Sequence, residues 1–170
     1  MRKALLACAA ACALCLCGAA ASAQRGRRAP RPATLCPDPT ARCRSSVEFQ
    51  PHQLPFVVPP SGVIAETEPF YAVVLKSVRD PSRGTDCNVF VPEPEREAAQ
   101  ALFPRNKVFT SRCFDPGDLY YTGVAEGVQF MAVYAGRTRA EGQAMLARVK
   151  ATGRYAGANL RRLRAGFNGT

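Results

Sequence analysis

The run Phe70-Tyr71-Ala72-Val73-Val74-Leu75-Lys76-Ser77-Val78 is almost continuously apolar, with β-branched and aromatic residues throughout. That pattern predicts a central strand covered on at least one face. Asp80-Pro81-Ser82-Arg83-Gly84 ends it with turn residues. Pro92-Glu93-Pro94-Glu95 then opens a helix, because proline suits a first turn whose amides have no partner and glutamates complement the dipole. Ala98, Ala101 and Leu102 supply its apolar stripe, and Pro104 stops it. A second strand is predicted over 107–114 and a third over 128–134, with Asp115-Pro116-Gly117-Asp118 as a turn between them. Thr138-Arg139-Ala140-Glu141 is a capping box that starts a second helix, which Gly153 ends. Ala140, Ala144, Ala147 and Ala151, beside Met145, Leu146 and Val149, are its expected buried face. Gly142 should cost this helix about 1 kcal/mol relative to alanine. Residues 158–165 read as a short, arginine-rich edge strand, with Leu160 and Leu163 on opposite parity.

The resulting order is strand, helix, strand, strand, helix, strand. It predicts an α+β domain of ferredoxin-like βαββαβ type, a four-stranded antiparallel sheet with both helices on one face. Residues 24–68 contrast with it. They hold eight prolines, little periodic apolar pattern and the basic run Arg25-Gly26-Arg27-Arg28. Such a segment reads as an extended linker, with the domain occupying 69–170. A fragment beginning at Glu66 is expected to fold by itself.

The first 23 residues read as a cleavable bacterial-type signal peptide. Arg2 and Lys3 precede an uncharged apolar run over 4–17, and Ala21-Ser22-Ala23 supplies the small-x-small cleavage pattern. The run is shorter than the roughly 20 apolar residues a spanning helix needs. Localisation in the periplasm or outside the cell follows, with no transmembrane segment. A lipid anchor is disfavoured by the residues around Cys8 and Cys17. Loss of Arg2 and Lys3 with the leader leaves 21 basic against 13 acidic residues, a net charge of +8. It also leaves four cysteines, Cys36, Cys43, Cys87 and Cys113. In an exported chain these suggest two disulfides. Of three possible pairings, Cys36–Cys43 with Cys87–Cys113 is favoured because each pair lies within one compositional segment.

The stretch from Tyr134-Ala135-Gly136-Arg137-Thr138-Arg139-Ala140-Glu141 to Val149-Lys150-Ala151-Thr152-Gly153 resembles the second half of a SPOR (sporulation-related repeat) domain. Its strand, glycine, Arg-Ala-Glu helix and Lys-x-x-Gly carry the similarity. The strand beginning at Phe70 is similar to the family's opening strand, although Val74 stands where glutamine is usual and Lys76 where glycine is. The resemblance implies a SPOR-like fold and an exported module of the cell envelope and division machinery. Its sheet face away from the helices would bind peptidoglycan glycan strands, particularly those stripped of stem peptides. On the polar parity of the predicted strands the glycan-binding candidates are Lys76, Arg112, Gln129 and Arg162. Tyr120 and Tyr121, placed in a turn, could stack on sugar rings.

Other classes fare worse. Acid–base chemistry usually employs histidine, and His52, the one histidine, falls in the proline-rich segment as an expected exposed linker residue. No metal site is suggested by four irregularly spaced cysteines, and no cofactor motif is present. Nucleic acid is a poor partner for an exported chain whose arginines lack interleaved aromatics. The remaining alternative is a disulfide-bonded protein-interaction or polyanion-binding module without glycan specificity.

Overall fold

Residues 70–75 alternate between two buried faces, and that alternation builds the centre of the fold. The computed structural model describes residues 31–58, 64–81, 88–112 and 119–169. In chain order the elements are β1 (Thr34–Leu35), β2 (Phe56–Val57), β3 (Ile64–Glu66), β4 (Phe70–Arg79), α1 (Glu93–Leu102), β5 (Val108–Thr110), β6 (Leu119–Tyr121), β7 (Val128–Gly136), α2 (Arg139–Ala151), β8 (Asn159–Leu163) and β9 (Ala165–Asn168). β5, β7, β4 and β8 lie side by side in that order, all antiparallel. Val73 and Leu75 of β4, with Met131, Val133 and Ala135 of β7, pack under Ala99 of α1 and Met145 and Val149 of α2. Both helices therefore share one face.

The α+β expectation holds, but one four-stranded sheet is not the whole architecture. β1 pairs with β2, and β3, β9 and β6 form a separate three-stranded sheet. The predicted last strand divides at Arg164, where the chain passes from the larger sheet into the smaller as β9. The opposite parity of Leu160 and Leu163 now has a reason. Leu160 packs on the helix side and Leu163 in the opposite core, so both faces of this edge strand are covered.

Residues 31–58 depart most from their composition. They form no extended linker. Leu54 and Phe56 are wholly buried, and with Leu35 and Val58 they cover Phe70, Phe109, Phe130 and Ala132 on the face opposite the helices. His52, expected in solvent, is 6% exposed. Proline makes this packing cheap in hydrogen bonds, because it brings a carbonyl acceptor without an amide to satisfy. The carbonyl of Pro55 accepts from the Cys36 amide at 2.8 Å, and that of Pro37 from the Lys107 amide at 2.8 Å. Pro51 accepts from Lys107 Nζ at 2.7 Å, and His52 from the Thr110 amide at 2.9 Å. The segment thus occupies the outer edge of β5, which would otherwise present free backbone groups. The Cys36–Cys43 disulfide closes its first loop, with Cα atoms 5.6 Å apart. The expected Cys87–Cys113 bridge and the expected leader lie outside the described residues.

The helices start as their sequences require but turn different faces inward. The capping box is formed: the Glu141 amide donates to Thr138 Oγ1 at 3.3 Å and the Thr138 amide to Glu141 Oε2 at 2.7 Å. In α2 Met145 and Val149 are buried as expected, whereas the four alanines are exposed and Gly142 faces the sheet in their place. A Cβ on Gly142 would lie 2.8 Å from Leu160 Cδ1 and 3.1 Å from Tyr71 Cβ. The glycine that weakens the helix locally is what lets it approach the sheet. In α1 the buried positions are Arg96 and Ala99 rather than Ala98 and Ala101. Arg96 Nε donates to Glu93 Oε1 at 2.7 Å, so the buried cation is paired.

Two outcomes follow. A fragment beginning at Glu66 loses Leu54 and Phe56, each worth about 1.5–3 kcal/mol of burial, against a total stability of roughly 5–15 kcal/mol. It should show no cooperative thermal transition near that of a chain spanning 24–170; matching melts by circular dichroism would show the cover to be dispensable. The second concerns Glu141, whose carboxyl is held below its ordinary 4.5 by the bonds it accepts from Thr138, then by the Arg137 amide. A depressed folded-state pKa gives stability that is complete above the unfolded value and lost as pH falls through the folded one. Wild type should therefore melt higher than Glu141→Gln above about pH 5, with the gap closing below about pH 4. A gap independent of pH in thermal melts would remove the charge from the cap.

Candidate functional site

On the face away from the helices, a cleft of about 250 Å³ opens between the end of the four-stranded sheet and the loop over 122–127. None of residues 31–58 lines it. Val74, Val128, Phe130 and Leu163 form its apolar walls together with Val124 of the loop, and Ser77, Asn159 and Arg161 stand among them as the polar groups. The loop is fixed at both ends. The Thr122 amide donates to the Arg164 carbonyl at 3.0 Å, and the Arg164 amide returns a bond to Thr122 Oγ1 at 3.1 Å. The Asp80 amide donates to the Gly127 carbonyl at 2.8 Å. Gly123, at φ 76°, takes the left-handed turn between these anchors.

β8 supplies the polar edge. Asn159, Arg161 and Leu163 lie opposite Val74, Ala72 and Phe70 respectively, and so share their face. Arg161 Nε donates to Asn159 Oδ1 at 2.9 Å. Among the described residues, the terminal nitrogens of Arg161 and the hydroxyl of Ser77 have no protein partner.

The residues that strand parity singled out are placed elsewhere. A β-bulge between Val74 and Lys76 shifts the register against β7, so that Lys76 opposes Met131. This reverses parity beyond the bulge and turns Lys76 toward the helices. Its Nζ meets both carboxylate oxygens of Glu95, at 2.6 and 2.9 Å. Arg112 lies over the Phe90 ring, 4.6 Å from its centroid, and pairs with Glu93 at 3.3 Å. Gln129 is 8% exposed and accepts from Ser111 Oγ at 2.8 Å, while that same oxygen accepts from the Phe130 amide. Arg162 opposes Tyr71, which packs on the helix side. None of the four faces the cleft.

The two tyrosines form part of β6 rather than a turn. The Tyr120 ring covers Gly166 so closely that a Cβ there would fall within it. Its hydroxyl donates to Glu66 at 2.9 Å, and burial, followed by that carboxylate, pushes the phenol up. Tyr121 stacks between Phe109 and Phe130, at 5.1 and 5.5 Å between centroids, and accepts from the Leu54 amide at 3.2 Å. Phe103, Phe109 and Phe130 are core residues. Lys107 is also committed: its Nζ binds Pro51, and burial and then Arg96 pull its pKa below 10.5.

No helix among the described residues is long and apolar enough to cross a membrane. Comparison with known protein families, characterised proteins and solved structures finds no match.

Ser77, Asn159 and Arg161 do not stand out by strand parity in the sequence. Leu160 and Leu163 held the available signal, since burial of both places Arg161 beside Leu163. For Gln129, Ser111 would lose its acceptor in Gln129→Ala. Stability should fall by about 1–2 kcal/mol in denaturant melts, while any ligand affinity of the cleft stays unchanged.

Proposed function

We propose that this chain is an exported, non-catalytic domain of the bacterial cell envelope that binds glycan strands of peptidoglycan through the cleft beside β8. The leader-like N-terminus supports export. The order β5-β7-β4-β8, with both helices on one face, is compatible with a ferredoxin-like, SPOR-like reading of residues 69–170. The observation that carries the proposal is the cleft itself, with apolar walls for the carbon face of a sugar ring and Ser77, Asn159 and Arg161 for its oxygens. At about 250 Å³ it lies below the usual range of roughly 300–1,000 Å³ for drug-sized ligands. One sugar ring fits that space. Among the described residues Arg161 is the one ionisable group in its lining, and no carboxylate pair stands there for glycoside hydrolysis.

This reading moves the contact away from the broad sheet face, which residues 31–58 cover. It predicts that the mature protein cosediments with purified sacculi at physiological salt, where screening confines exposed charges to about 8 Å. Arg161→Ala should weaken binding about tenfold, the equivalent of one lost charged hydrogen bond. Lys76→Ala and Arg162→Ala should not. If sedimentation vanishes at that salt and returns at low salt whichever arginine is replaced, the protein is a charge-driven polyanion binder. Protein left in the supernatant at every salt concentration defeats the glycan reading.

A further inference from the structure

We infer that the cleft selects a sugar ring bearing a carboxylate over its neutral counterpart, with Arg161 as the specificity-determining residue. The inference rests on the glycan reading for the ring and on Arg161 for the acid. Arginine is abundant in this chain, but most of the neighbouring arginines have other engagements. Arg164 Nη1 donates to the Thr67 carbonyl at 3.2 Å and stands 4.0 Å from Glu66. Arg96 and Arg112 divide Glu93 between them. Arg162 points to the other face of β8. Arg161 alone among these is placed in the cleft, and among the described residues no acidic side chain lines it.

The bond from Nε to Asn159 fixes the plane of the Arg161 guanidinium and leaves its terminal nitrogens for a ligand. A planar fork of that kind matches a carboxylate with two parallel hydrogen bonds. Arg161 is exposed in the open cleft, and a ring seated against the apolar walls would strengthen the pairing by displacing water from it. They also set the selectivity. A neutral ring in the cleft would dry the cation without neutralising it, which is costly. An acidic ring supplies the missing charge, and the Ser77 hydroxyl remains for a ring oxygen.

Titration calorimetry on the mature protein tests this with two matched pairs, N-acetylmuramic acid against N-acetylglucosamine and glucuronic acid against glucose. The acid of each pair should bind at least tenfold more tightly. Arg161→Gln should abolish the difference, and Arg161→Lys should restore only part of it, because a point charge lacks the fork. The tighter of the two acids identifies the source, wall glycan or another acidic polysaccharide. Equal affinity for acid and neutral sugars, no binding of either acid, or a preference untouched by Arg161→Gln would overturn the inference. Sacculus binding without acid preference would leave the glycan reading standing and sink this one. Acid preference without sacculus binding would do the reverse.

Discussion

Burial of the helix-free face of the sheet is the constraint on which the rest of this structure depends. That face presents Phe70, Ala72, Phe109, Phe130 and Tyr134, too much apolar surface to leave in water. Residues 31–58 cover one part, with Leu54 and Phe56 wholly buried, and Leu163 and Ala165 cover another as the chain crosses into the smaller sheet. The Phe109, Tyr121 and Phe130 rings lock the layers together, and the Tyr121 hydroxyl accepts from Leu54 in the cover. The cleft is what remains where the cover stops. Its apolar walls are continuous with this core, which explains how a small opening keeps a hydrophobic lining.

The central strands and both helices of residues 70–163 were legible because each is specified locally, whereas β6 and the division of the last strand were not. The apolar run from Phe70, the proline and glutamates at the start of α1 and the capping box of α2 act within a few residues of themselves. What was not legible depends on long-range packing. Residues 31–58 have little periodicity because they form almost no regular structure; they bury single side chains and lend carbonyls to β5. Composition identifies a segment unable to build a core alone, yet it is silent about one that joins another's. Helix faces failed for a related reason. Alanine suits either side of a helix, so the run from Ala140 to Ala151 did not distinguish the sheet side, whereas Gly142 marks it through contact with Leu160 and Tyr71.

The candidate site was misplaced by one residue of register. In a strand a single extra residue moves every later side chain to the opposite face. The bulge after Val74 therefore carried Lys76 to α1 and placed Ser77 in the cleft. Nothing in Val73-Val74-Leu75-Lys76 announces that bulge, since all but the last are at home on either face of a covered sheet. On β8 the same one-residue difference separates Arg162, facing the helix side, from Arg161. The chemistry that parity sought, a cation and hydrogen-bonding groups on the helix-free face, is present in neighbouring residues.

Charge placement distinguishes structural cations from available ones. Lys76, Arg96 and Arg112 meet Glu93 and Glu95 at the start of α1, where those carboxylates also complement the helix dipole. Moving Lys76 to a ligand would leave Glu95 without its cation, and moving Arg96 or Arg112 would leave Glu93 with one partner in place of two, a cost that exposed pairs can bear but the buried Arg96 cannot. Arg161 carries no such debt. Its protein contact is a neutral amide on its own strand, so pairing with a ligand anion breaks no ion pair among the described residues. A net charge of +8 over residues 24–170 thus overstates readiness to bind anions. Arg161 is a cation that the fold orients without neutralising.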